Sequence, residues 1–189
     1  MTDREDTLQQ YVGDMLAVEQ HIHQAVRQQE EDESVKRHPE ASALISRAEQ
    51  MLDNHIAALE SHLESIGGET GASVKEAVTA AFGVAAGLYD KMRSEKVSKM
   101  LRDDYTALSL AAISYHALHT TGLALQDQRT ADLALRHLKD WTPIITEISH
   151  VIHKVVASEL QDDGFSMDAT VAEQSERMTQ EAWRPEHVT

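Results

Sequence analysis

The sequence predicts an all-α protein: a bundle of four long helices, with an additional helix in the crossover between the second and the third. Three observations predict it. Apolar residues recur at helical spacing through four long segments. The composition favours helix, being rich in Ala, Leu, Glu and Gln with three prolines and 4% aromatic residues. Finally, a fifth helical pattern of about twenty residues lies between the second and third long segments, long enough at roughly 30 Å to carry the chain along the whole bundle.

The first helix is expected to open near Asp6 or Thr7, both good N-caps, and to run to about Gln29. Leu8, Met15, Ile22 and Val26 form its apolar stripe, and Glu19 falls within about 40° of the stripe's centre. A charged connection, EEDESVKRH, ends at Pro39, which suits the first turn of a second helix running to Ile66. Gly67–Gly68 supplies a C-terminal stop. On this helix Leu52, Leu59, Leu63 and Ile66 share a face with His55 and His62. Ser73 with Glu76 makes a capping box for the crossover helix, expected to reach about Arg93. Ser94 is the candidate cap of the next helix, expected to reach about Gln126 with Asp104, Tyr115 and His119 on its inner face. Leu110, Ile113 and Ala117 form a second apolar strip on its back, which needs cover from the crossover or a second subunit. Thr130 is the expected cap of the last long helix, whose stripe includes His137, Trp141, Ile144 and Ile148 and whose Pro143 should kink it or free a carbonyl. Residues 1–162 thus read as the bundle. Residues 163–189 read as a polar, mobile tail in which Val171, Met178 and Trp183 could dock a short helix.

Charge narrows the partners. Seventeen basic against thirty-two acidic side chains leave −15, a field that repels phosphate backbones and anionic lipid and gathers cations. Neither nucleic acid nor membrane is therefore an expected partner. The chain has no cysteine, which excludes disulfides and thiolate sites. The polar start MTDREDTLQQ is unlike a secretory signal and no apolar run reaches membrane-spanning length, so the expected location is the cytoplasm.

The inward polar residues carry whatever chemistry there is. Glu19 amid Met15, Ile22 and Val26 needs a partner or an ion. It is expected at the level of Leu52 to His55. His62, His119 and His137 are expected in another layer, a three-histidine set of zinc-like ligand type. Each histidine also reads as a hydrogen-bonded core residue. Glu147 and His150 have the E-x-x-H spacing of two-metal bundles. On the helical wheel, however, they lie about 100° and 160° from Ile148 at the stripe's centre.

On Leu16–Val26 (LAVEQHIHQAV), His55–Gly68 (HIAALESHLESIGG) and the long segment from Asp103 to Ile152, the chain resembles the ferritin-like superfamily, and within it the bacterial YciE/YciF stress-associated type. The resemblance covers about three-quarters of the chain. It implies a di-iron or related centre between the helices, with Glu19, His55, Glu147 and His150 at ligand positions; the metal expected for this chain is iron, manganese or zinc. It also implies a role in iron handling, oxygen chemistry or stress protection. The chain departs from the pattern at Leu52, where a ligand glutamate would stand, and offers Asp104, Tyr115 and His119 where the third helix would give a carboxylate. The expected function is therefore a metal-binding stress protein with an incomplete or altered di-metal site, acting as a homodimer. The alternative is a non-catalytic dimeric interaction protein whose inward histidines are structural.

Overall fold

The computed structural model describes residues 3–70 and 96–184, and among them every regular element is a helix. The helices are α1 (Arg4–Glu30), α2 (Glu33–Lys36), α3 (Pro39–Ser65), α4 (Val97–Ala124), α5 (Gln128–Asp162) and α6 (Val171–Trp183).

Local chemistry sets their ends. Asp3, not Asp6 or Thr7, caps α1, accepting from the Glu5 amide with Glu5 and Asp6 in the first turn. The charged connection contains the single-turn α2, capped by Asp32 through the Ser34 amide at 2.7 Å. Pro39 opens α3 as expected. Its other end is a Schellman motif: Gly67 takes φ +81°, the Gly68 amide donates to Leu63 O at 2.9 Å and the Gly67 amide to Glu64 O at 3.0 Å. A Cβ at Gly68 would lie 2.3 Å from Leu63 Cδ1, so any larger residue there must displace that buried side chain.

The α4–α5 turn repeats the motif with a non-glycine residue. Gln126 sits at φ 56°, and the Asp127 amide donates to Gly122 O at 2.8 Å. Asp127, not Thr130, caps α5, its carboxylate accepting from the Thr130 amide. Thr130 is released to face the core. Gly122 lets the two helices meet, since a Cβ would approach Ala131 N to 2.6 Å. Helix α5 runs through Pro143 as one element, and Thr142 Oγ1 donates back to Leu138 O at 2.9 Å beside it.

The bundle is two helical hairpins closed on each other. α1 pairs with α3 and α4 with α5, while α1–α4 and α3–α5 contacts complete the ring. Gln9 reaches Ile66 O at 2.8 Å and Arg4 reaches Leu125 O at 2.5 Å, so the end of α3 and the end of α4 both lie beside the start of α1. At the opposite end Ser98 donates to Glu159, and Lys154 to Glu40. α3 and α4 consequently run parallel, the arrangement that requires a bundle-length connection. The expected crossover helix, Ser73 to Arg93, and its cap Ser94 lie outside the described residues. The core includes Leu16, Leu52, Leu59, Leu101, Leu108, Tyr115 and Trp141, all fully buried.

Residues 171–183 form α6, which lies against α5 through polar groups. His150 pairs with Glu176 at 2.8 Å, and His153 meets Ser175 and Thr179. Val171, Met178 and Trp183, the apolar residues expected to dock it, are exposed. Leu110 and Ile113 are likewise exposed on α4. Among the described residues no helix is long and apolar enough to cross a membrane.

Candidate metal centre

The helical phase of α1 delivers Glu19 into the middle of the bundle, where it is completely buried. One of its oxygens is crowded and the other is bare. Oε1 accepts from the Tyr115 hydroxyl at 2.7 Å, from Trp141 Nε1–H at 2.9 Å and from His55 Nδ1 at 3.1 Å. Oε2 is buried and has no hydrogen-bond partner among the described residues. A buried carboxylate oxygen left this way costs a large part of its desolvation energy.

The proton inventory of the group follows from these contacts. Tyr115 has one proton, which goes to Glu19, so its oxygen accepts from His137 Nδ1 at 2.8 Å. His137 thereby carries its proton on Nδ1 and keeps a lone pair on Nε2. Burial, with the neighbouring His55 charge adding to it, pushes His137 down to about 3, so it stays neutral. Burial and the Glu19 carboxylate hold the Tyr115 hydroxyl well above its ordinary value of 10, so it stays protonated. His55 spans two carboxylates, Glu19 on Nδ1 and the half-exposed Asp140 on Nε2 at 3.2 Å. Protonation of both nitrogens satisfies both contacts.

One ligand atom each from Glu19, His55 and His137 can be chosen so that all lie within 4.8 Å of one another. This buried Glu–His group could bind a metal ion. One rearrangement is required. The His55 and His137 rings are stacked, with centroids 3.7 Å apart and planes 1° from parallel. Imidazole lone pairs lie in the ring plane, so two stacked rings cannot both direct them at an ion about 2.0–2.1 Å away. One ring must turn, and the proton on the coordinating His55 nitrogen must leave. The group holds one carboxylate, and the Leu52 side chain is buried apolar core. It therefore suits a single ion and does not fit a carboxylate-bridged metal pair.

The other candidates go elsewhere. His62 is buried, bonds Thr130 Oγ1 at 2.7 Å and is held below its ordinary value by burial. His119 Nδ1 donates to Ala131 O at 2.9 Å. The expected layer of His62, His119 and His137 does not form, because α5 enters one level further along and stacks His137 on His55. Glu147 and His150 face outward, as the wheel angles require. Glu147 pairs with Arg47 at 2.5 Å and His150 with Glu176, so neither reaches Glu19. Asp104 is fully buried and takes a hydrogen bond from Gln29 Nε2 at 2.9 Å, and burial raises it to about 7.

Three participants were not legible as such in the sequence. Trp141 read as an ordinary stripe residue, yet its indole N–H is a Glu19 partner. Asp140 follows no apolar periodicity, and His137 was placed in the wrong layer. The available signal was the four-residue step from His137 to Trp141, which puts a polar ring one turn from an aromatic donor on one face.

No protein-family model matches the chain, and no curated protein matches it. A crystal structure of a protein from Xanthomonas campestris pv. campestris is similar in fold, with a TM-score of 0.68 over 87% of this chain and 100% of that one, at 16% identity. That likeness shows the fold alone. The class defined by fold and site is an all-α helical bundle with a buried carboxylate–imidazole group.

Proposed function

We propose that the protein is a metal-binding member of the ferritin-like superfamily, of the stress-associated bacterial type, acting in the cytoplasm on or through a single iron, manganese or zinc ion. Glu19, His55 and His137 are its ligands. The observation that carries the proposal is the bare Oε2 of a completely buried Glu19 beside two imidazoles. A redox-active ion there would supply electron-transfer chemistry. The chain's own part is to hold the ion away from bulk water, to fix Glu19 through Tyr115 and Trp141, and to orient His55 through the half-exposed Asp140.

A second reading is favoured by a specific observation: Oε1 already has three donors and the two rings are stacked, so the polar cluster is largely closed without an ion. Under that reading the protein is a non-catalytic dimeric interaction protein, joined through the exposed Leu110 and Ile113 strip. Metal analysis of protein purified without an affinity tag separates the two. Stoichiometric metal that disappears in Glu19→Gln and His55→Ala supports the first. Metal-free protein whose melting is indifferent to added iron, manganese or zinc supports the second.

A further inference from the structure

A second group of ligand-type side chains lies on the surface seam between α1 and α3. His23 Nε2 stands 3.1 Å from Asp53 Oδ1 and 3.6 Å from Glu49 Oε1. The three can offer one ligand atom each within 4.8 Å of one another. Glu49 and Asp53 are four residues apart on α3, so the helical repeat brings both carboxylates to one face opposite His23. His23 Nε2 itself is sheltered from solvent and makes no hydrogen bond of acceptable geometry among the described residues. A bare nitrogen lone pair between two carboxylates is repelled by both. Something positive belongs there, either a proton on the ring or a cation.

We propose that His23, Glu49 and Asp53 form a divalent-cation site, independent of the interior group and suited to zinc. The spacing fits. Ligands about 2.0–2.1 Å from a tetrahedral zinc are about 3.3 Å apart, and the two measured separations bracket that value. Ligand type fits too, since one imidazole and two carboxylates bind borderline ions and leave a fourth position to water. Access is open: the side chains of His23, Glu49 and Asp53 are 19, 21 and 60% exposed, so an ion arrives without disturbing the core. Among the described residues the single imidazole has no stacked ring to turn, unlike the interior pair. The net charge of −15 raises the local cation concentration. Along α1 the site lies one turn from Glu19, and on α3 Asp53 lies two residues before His55.

Calorimetric titration of zinc chloride into the untagged full chain tests this, with Co²⁺ absorption as a report of ligand geometry. Wild type should show a zinc-binding event that Glu19→Gln retains. His23→Ala and the double variant Glu49→Gln, Asp53→Asn should each weaken that event by at least ~100-fold, since losing a ligand exceeds the effect of losing an outer partner. Their metal-free melting should stay close to wild type, because the groups are at the surface. The proposal is overturned if these variants bind zinc as wild type does, or if wild type fails to bind millimolar zinc. It is equally overturned if the variants lose melting stability but keep zinc affinity, the signature of a plain histidine–carboxylate ion pair.

Discussion

Replacing Asp104 with asparagine should stabilise the protein above neutral pH and make almost no difference in acid. The Asp104 carboxyl is fully buried, one oxygen takes the Gln29 amide hydrogen, and burial lifts it from 3.8 to about 7. In the unfolded chain it titrates near its ordinary value. Between pH 3.8 and about 7 the folded state therefore holds a proton that the unfolded state has released, so stability falls as pH rises through that window. Each pH unit is worth about 1.4 kcal/mol, and the roughly three units give up to about 4 kcal/mol, an upper bound for a site that can relax. Asparagine removes the titration. Its amide also supplies a donor to Gln29 Oε1, which is buried without a partner. The Glu19 cluster does not interfere, because Tyr115 lies eleven residues along the same helix, about 16 Å away. Urea unfolding of both proteins from pH 4 to 8.5 measures the difference directly. It should be near zero at pH 4, grow through pH 7 and then level off, and a difference independent of pH would refute the reasoning.

The remaining predictions address the turns and the polar cluster. Gly122→Ala should cost about 1–3 kcal/mol, because the new methyl meets α5 backbone, whereas Gly13→Ala should gain roughly 0.5–1 kcal/mol in open space inside α1; paired thermal melts compare them. Gln126→Gly should raise stability by about 0.5–1 kcal/mol by relieving the left-handed backbone at φ 56°, measured the same way. His137 is held down to about 3, so the unfolded state binds its proton first; stability should fall as pH drops from about 6.5 toward 3, and His137→Gln should flatten that slope in acid melts. Glu19→Ala should cost on the order of 3–5 kcal/mol by stranding the donors of Tyr115, Trp141 and His55, with a change in Trp141 fluorescence.

The fold was readable because helix phase and stop signals are local. The stripes of α1 and α3, Pro39 as opener and the Gly67–Gly68 stop all follow from spacing and backbone preference. Caps were harder: Asp3, Asp6 and Thr7 at α1, and Asp127 and Thr130 at α5, are all plausible cap chemistry, and the carboxylates that accept first-turn amides are those of Asp3 and Asp127. Glu19 and His55 were paired correctly since each is a polar residue on its own helix's apolar stripe. Placing His137 required the axial register between α3 and α5, which no local signal sets, and an error of about two turns moved it from His55 to His62. The surface trio of His23, Glu49 and Asp53 escaped notice for a related reason, since its meaning arises only when two helices meet.

The most direct test of the interior site is metal content and X-ray absorption of untagged protein carrying His23→Ala, which removes the surface ligand from the measurement. About one equivalent of iron, manganese or zinc with nitrogen and oxygen neighbours is expected, lost on adding Glu19→Gln. Protein that folds with Glu19 in place, yet takes up none of these metals and gains no stability from them, would contradict this assignment.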